Sequence, residues 1–374
     1  MKRRMFLGLT ATLPILATRT TEARAAEGDP LHPGPGHVGP TNLITDVTGL
    51  TVGEAHDARS RTGVTVILPD QRVACAVDVR GGGPGTRETD ALTAGNLVRS
   101  VDAIVLSGGS VYGLGSADGV AAWLGARGRG FSMTKQPGVP PSPIVPTAIL
   151  FDLANGGDKN WGLSPPYRDL ALRAMDHPSR GVTLGTAGAG YGAQAGALKG
   201  GLGSASFVTA DGLTIGALVA VNSLGSVVVP GTRHFWAGPF EIGREFGGLG
   251  ASAAHVDPED WGRAKLNPAA RANTTIACIA TDADIDADDL KRVAMMAQDG
   301  LARAIRPVHS PFDGDVIFAL STGHRPLPPG PRALYVARLG ALAADVLARA
   351  VARGVYEASL PPGMGGPTWK NLPG

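Results

Sequence analysis

Cysteine is scarce in this chain. Cys75 and Cys278 are its two thiols, and each stands in an apolar run. Residues so placed read as buried side chains rather than as a disulfide framework. Charge is scarce too: charged residues make up 18% and the formal net charge is +2. No basic stripe follows the chain, which argues against a nucleic-acid binder. None of the eight histidines forms a zinc-spaced pair, and His-Glu-x-x-His is missing. Gly109-Ser110-Val111-Tyr112-Gly113 places its serine off-centre for a Gly-x-Ser-x-Gly elbow, so a conventional α/β-hydrolase is not indicated. Gly185-Thr186-Ala187-Gly188-Ala189-Gly190-Tyr191-Gly192 completes neither a dinucleotide fingerprint nor a P-loop. Its glycines fit a backbone that approaches another segment or a substrate closely. Beyond the N-terminus no apolar run is long enough to span a bilayer.

Apolar residues amount to 43%, with 54 glycines and 29 prolines scattered as tight turns, so a large layered core is expected. The N-terminus reads as an address. Lys2-Arg3-Arg4 precedes an apolar stretch from Met5 to Ala17, and Ala23-Arg24-Ala25 offers small residues for cleavage. Arg3-Arg4 followed by Met5-Phe6-Leu7 has the look of a twin-arginine signal. Residues 1–25 are therefore expected to be removed on export to the periplasm or outside the cell, leaving an extended arm over 26–42.

The hydrophobic pattern predicts strands at 64–68 and 73–79 joined as a hairpin by a Pro-Asp turn, and a strand at 103–106. Residues 214–229 read as two strands around Asn222-Ser223-Leu224-Gly225. Further strands are expected after Thr274 and at 316–320. Helices are predicted over 117–124, 288–305 and 332–357. Residues 136–146 and 231–272 read as loops. Strands and helices are mixed, giving an α/β or α+β class.

Three places carry chemistry. Asn273-Thr274 stands directly before the apolar run Ile276-Ala277-Cys278-Ile279-Ala280, which puts a hydroxyl at the mouth of a buried strand. If the chain is cut before Thr274, the new α-amine has a reference pKa of about 7.7–8.0 and can serve as the threonine's own base. Ser223, after Asn222, is a rival, but a cut there would split a predicted hairpin. Lys199, among glycines and apolar residues, is either a surface lysine or a buried group for charge stabilisation and proton transfer. Asp313-Gly314-Asp315 precedes a strand, and period two sets both carboxylates on one face. Like charges so placed call for a shared cation, either an ammonium group or, less consistently with the few other oxygen ligands nearby, calcium.

Gly83-Pro84-Gly85-Thr86-Arg87-Glu88-Thr89-Asp90, Gly108-Gly109-Ser110-Val111-Tyr112-Gly113-Leu114, Gly185-Thr186-Ala187-Gly188-Ala189-Gly190, Lys199-Gly200-Gly201 and Asn273-Thr274-Thr275-Ile276 together resemble the L-aminopeptidase/D-esterase superfamily of self-processing amidases. The resemblance runs from about Asn42 to Glu357. It is nearest to the 6-aminohexanoate-oligomer endohydrolase branch, which has threonine at the cut and an Asp-Gly-Asp pair.

The resemblance implies a four-layer αββα sandwich like the N-terminal-nucleophile hydrolases. It implies a cut between Asn273 and Thr274, with a large chain of 26–273 and a small chain of 274–374 staying associated and assembling further, as a tetramer of heterodimers. It assigns Thr274 as nucleophile, Lys199 and Asn222 to charge and oxyanion stabilisation, Asp313 and Asp315 to orienting Thr274, and Tyr112 to lining the site. No metal or organic cofactor is required, and the partner is a small linear amide or peptide. Aminopeptidase, β-peptidyl aminopeptidase or D-esterase activity, and an uncut non-catalytic binding scaffold, stand as alternatives. The export signal departs from the cytoplasmic nylon-oligomer enzyme.

Overall fold

Apolar runs such as 64–68 and 276–280, with no polar alternation, need cover on both faces. The computed structural model, described for residues 34–97, 99–134, 136–265 and 273–373, provides it. One sheet contains β1 (Leu50–Asp57), β2 (Thr62–Pro69), β4 (Thr86–Arg87), β6 (Ile104–Ser107) and β7 (Thr147–Ile149), in the order β1-β2-β6-β7-β4. The other contains β3 (Val73–Val79), β5 (Ser100–Val101), β10 (Gly201–Val208), β11 (Thr214–Asn222), β12 (Thr274–Ala283) and β13 (Val316–Arg325), in the order β10-β11-β12-β13-β3-β5. A small hairpin joins β8 (Gln194–Ala195) to β9 (Leu198–Lys199). Helices α1 (Ser116–Gly125) and α2 (Tyr167–Ala174) cover the first sheet, and α3 (Ala287–Ala304) and α4 (Arg332–Tyr356) cover the second.

Strand periodicity sorts the core into layers. Ile276, Cys278 and Ala280 of β12 meet Ile67, Ile104 and Leu106 of the opposite sheet. Ala277 and Ile279 turn the other way, toward Leu290, Val293 and Leu347 of the helices. A separate cluster packs Val64, Val66 and Val105 against Val120, Leu124 and Leu170. The result is the expected αββα sandwich. Asp286 caps α3, its carboxylate accepting from the N–H groups of Asp288 and Asp289 at 3.0 Å. Both cysteines are free and buried between the sheets.

Two local expectations are corrected. Strands β2 and β3 form no hairpin: β2 pairs with β1 and β6, whereas β3 pairs with β13 and β5. The Pro-Asp turn carries the chain from one sheet across to the other. Residues 226–229 make isolated bridges to Arg306 and Phe235 rather than a second strand after β11, whose pairing edges are already taken by β10 and β12. The predicted signal, residues 26–33 of the arm and residues 266–272 of the long loop lie outside the described residues.

Candidate active site

Three neighbouring strands bring the sequence-predicted residues together. Antiparallel pairing sets Asn222, the last residue of β11, beside Thr274, the first of β12. Parallel pairing sets Asn273 beside Asp313, just ahead of β13. By the alternation of β12, Thr274 shares the inter-sheet face with Ile276. Thr274 is buried, and its hydroxyl donates to the carbonyl of Asn273, the bond in question. Asn273 is buried as well, and its side-chain amide has no hydrogen-bond partner among the described residues.

Gly314 makes room for this hydroxyl. A Cβ there would lie 2.7 Å from Thr274 Oγ1 and 2.9 Å from the carbonyl oxygen of Gly83. The glycine run after β3 thus has a role: Gly83 N–H donates to Asp313 O at 2.8 Å and walls the other side.

The two aspartates accept from separate sets of donors. Asp313 accepts from Leu224 N–H (3.2 Å), Ser310 N–H (3.1 Å) and Ser310 Oγ (2.6 Å). Asp315 accepts from Thr275 N–H (2.8 Å), His309 N–H (3.2 Å) and His309 Nδ1 (2.9 Å). Burial, then the charge of Asp315, pushes the Asp313 carboxyl up from its ordinary value. Asp315 therefore reaches Thr274 through the backbone N–H of the next residue.

Asn222 Oδ1 accepts from Gln194 N–H (2.9 Å) and Lys265 Nζ (3.3 Å), and Nδ2 donates to Phe151 O (3.0 Å). Asn222, Lys265, Asp152, Gln194 and Asn273 line a cavity beside the Asn273–Thr274 bond. A second cavity shares Asn155, Gly192 and Gln194 with it and extends to Lys199 and Met364.

Lys199 is deeply buried, and its three donors are all spent on the carbonyls of Gly190 (3.1 Å), Ala193 (2.9 Å) and Gly200 (2.6 Å). Its side chain thereby pins the glycine-rich turn. Burial pushes its ammonium down to about 7, opposed by the charge of Asp152. Asp152 accepts from Thr62 Oγ1 (2.6 Å) and Gly109 N–H (2.8 Å), and burial pushes its carboxyl up to about 6. A Cβ on Gly108 or Gly192 would fall within 2.5 Å of its Oδ2, so two of the glycine motifs close around this carboxylate. Tyr112 is half-exposed and packs edge-to-face on Trp161 at 5.6 Å; it lines neither cavity.

Sequence reasoning missed Lys265, Asp152, His309 and Ser310. Ser310-x-x-Asp313 is a local side-chain-to-backbone pattern that could have been read. Lys265 and Asp152 reach the site over long separations and leave no local signal.

The two lysines set a stability trend. Burial also pushes Lys265 down to about 7. Folded Lys199 and Lys265 release protons near that value, whereas unfolded lysine holds its proton to about 10.4. Between those values the unfolded state binds more protons, so stability rises with pH. The melting temperature is expected to climb from pH 7 to 9, and Lys199→Met to flatten the climb. An identical slope in both proteins, followed by calorimetry, would contradict this account of Lys199.

Comparison with known proteins gives the family. The model of peptidase family S58 matches residues 42–368. An uncharacterized aminopeptidase of Mycobacterium tuberculosis is 43% identical over 354 residues, covering 88% of this chain and 98% of that one. The 6-aminohexanoate-oligomer endohydrolase of Kocuria sp. is 30% identical over 346 residues, covering 87% and 92%. Among solved structures, the L-aminopeptidase D-Ala-esterase/amidase of Ochrobactrum anthropi, described as a prototype for the serine aminopeptidases and a variant of the Ntn hydrolase fold, aligns with a TM-score of 0.64 at 25% identity over 87% of this chain and 89% of that one. A Burkholderia sp. beta-aminopeptidase shares the fold, with a TM-score of 0.61 at 22% identity over the same shares. The chain belongs to peptidase family S58 and is a hydrolase of amide bonds.

Proposed function

We propose that this protein is a self-processing amidase whose nucleophile is Thr274. The observation that carries the reading is the buried Thr274 hydroxyl in contact with the carbonyl of Asn273. The hydroxyl oxygen attacks that carbonyl carbon, the C–N bond breaks, and the hydroxyl proton passes to the departing nitrogen. The resulting ester between Asn273 and Thr274 Oγ1 is opened by water, which leaves a carboxyl group on Asn273 and a free amine and hydroxyl on Thr274.

In turnover the same hydroxyl attacks a substrate amide, and the Thr274 amine relays the proton to the leaving group. Asn222 Nδ2 stabilises the oxyanion. Lys199 supplies positive potential while protonated, and Asp313 and Asp315 fix the loop and strand that carry the reacting residue. The roles need no metal or organic cofactor.

The substrates are short linear amides. Peptides and amino amides are favoured by the more similar aminopeptidase relatives, and 6-aminohexanoate oligomers by the threonine and the Asp-Gly-Asp pair. The N-terminal pattern supports export from the cytoplasm, and the two chains stay together in a homo-oligomer. Incubation with amino-acid nitroanilides, β-peptides and 6-aminohexanoate oligomers tests the reading. Hydrolysis of at least one class, lost in Thr274→Ala, is expected; no hydrolysis of any by a fully cut protein would contradict it.

A further inference from the structure

Lys265 enters the site from the loop that precedes the Asn273–Thr274 bond, yet its place does not depend on that bond. Its N–H donates to Leu224 O at 2.9 Å, and two residues earlier Arg263 O accepts from Ala197 N–H at 2.6 Å. Leu224 in turn donates its own N–H to Asp313. The lysine is clamped between the 197 and 224 turns, both upstream of the bond, and stays clamped when the bond is cut.

Its ammonium donates to Asn222 O at 3.2 Å and Asn222 Oδ1 at 3.3 Å. A side-chain amide has two orientations related by a flip, which exchange its donor and acceptor ends. Here Gln194 N–H and Lys265 both donate to one end, and the Phe151 carbonyl accepts from the other. One orientation satisfies all three contacts. The flipped one sets NH₂ against an N–H and an ammonium, and an oxygen against a carbonyl.

We propose that Lys265 is a positioning residue for Asn222, holding the amide with its Nδ2 end as the donor to the oxyanion and lending that donor positive potential. The proposal rests on the reading of Thr274 as nucleophile. Lys265 lines the cavity that contains Asn222 and Asn273, and the charge of Asp313 favours its cationic form against the cost of burial. A positioning lysine acts on the reaction rather than on substrate affinity, so its loss appears in kcat and not in KM.

The test is a double-mutant cycle in the full-length protein, with an amino-acid nitroanilide as substrate and rates expressed per cut chain. Lys265→Met keeps the aliphatic stem and removes the charge. It is expected to lower kcat by about 10- to 100-fold, as misplacement of a reacting group does, at a nearly unchanged KM. Lys265→Arg is expected to recover part of the loss. In an Asn222→Ala background, Lys265→Met is expected to cost nothing further, because a residue that acts through another shows no independent effect. Lys265→Gln takes the place of the methionine variant in the cycle if that one does not fold.

An unchanged kcat in Lys265→Met, or losses that add in full in the double variant, overturns the proposal. Wild-type protein that neither cuts itself nor turns over overturns the reading beneath it and the role with it. An active wild type beside an equally active Lys265→Met rejects the Lys265 role alone.

Discussion

Thr274→Ala is expected to leave the chain in one piece and to remove hydrolysis, with turnover falling by at least about a thousandfold, as for loss of a covalent nucleophile. The variant takes away the hydroxyl oxygen that the proposed cut and the proposed turnover both use. It opens little space and breaks one hydrogen bond, that to Asn273 O, so the fold persists. Thr275→Ala is the matched control. Its hydroxyl is buried without a partner among the described residues, and the alternation of β12 turns it away from the Thr274 face toward the helices. Removing it strands nothing, so cutting and turnover are expected within a few-fold of wild type. Thr274→Ser retains the oxygen and is expected to keep cutting. Gel analysis and nitroanilide turnover of the three variants check the set. A Thr274→Ala protein that is still cut and active would place the nucleophile elsewhere.

Gly314→Ala is expected to act on the same atom from outside the catalytic set. The added Cβ would lie 2.7 Å from Thr274 Oγ1 and 3.3 Å from its Cγ2. The other neighbour, the Gly83 carbonyl at 2.9 Å, is backbone and is tied to the strand by the Gly83 N–H bond to Asp313 O. The threonine side chain is the part free to give, and it gives by rotating off the Asn273 carbonyl. Displacement of a reacting group by about an ångström costs about 10²-fold, and overpacking a filled site costs about 1–3 kcal/mol of stability. Cutting and turnover are thus expected to fall together by about a hundredfold, with a lowered but cooperative melt. Wild-type rates in Gly314→Ala would show that the hydroxyl reacts from a different rotamer than the one in this structure.

Much of the site was legible because its parts sit at strand ends. Thr274 and the aspartates each adjoin an apolar run, and Asn222 ends another; periodicity places the starts and ends of such runs well. The αββα layering was an implication of the family resemblance, and the double-sided apolar runs agree with it. Pairing was less legible. Residues 64–79 satisfy the local pattern of a hairpin, yet β2 and β3 lie in different sheets, because burial between two sheets outweighs the turn. Lys199 could be singled out by its apolar surroundings, but not the three carbonyls that consume its donors. Tyr112 was placed at the site by its motif and stands instead on Trp161. Lys265 and Asp152 could not be placed at all, since the groups that each of them meets lie tens of residues away in the chain.

The most direct test of the account is intact mass and N-terminal sequencing of the purified full-length protein. The account predicts two chains, the smaller beginning Thr274-Thr275-Ile276 and carrying the C-terminal quarter of the 38.1 kDa precursor. A single uncut chain, or a small chain that begins at any residue other than Thr274, would contradict it.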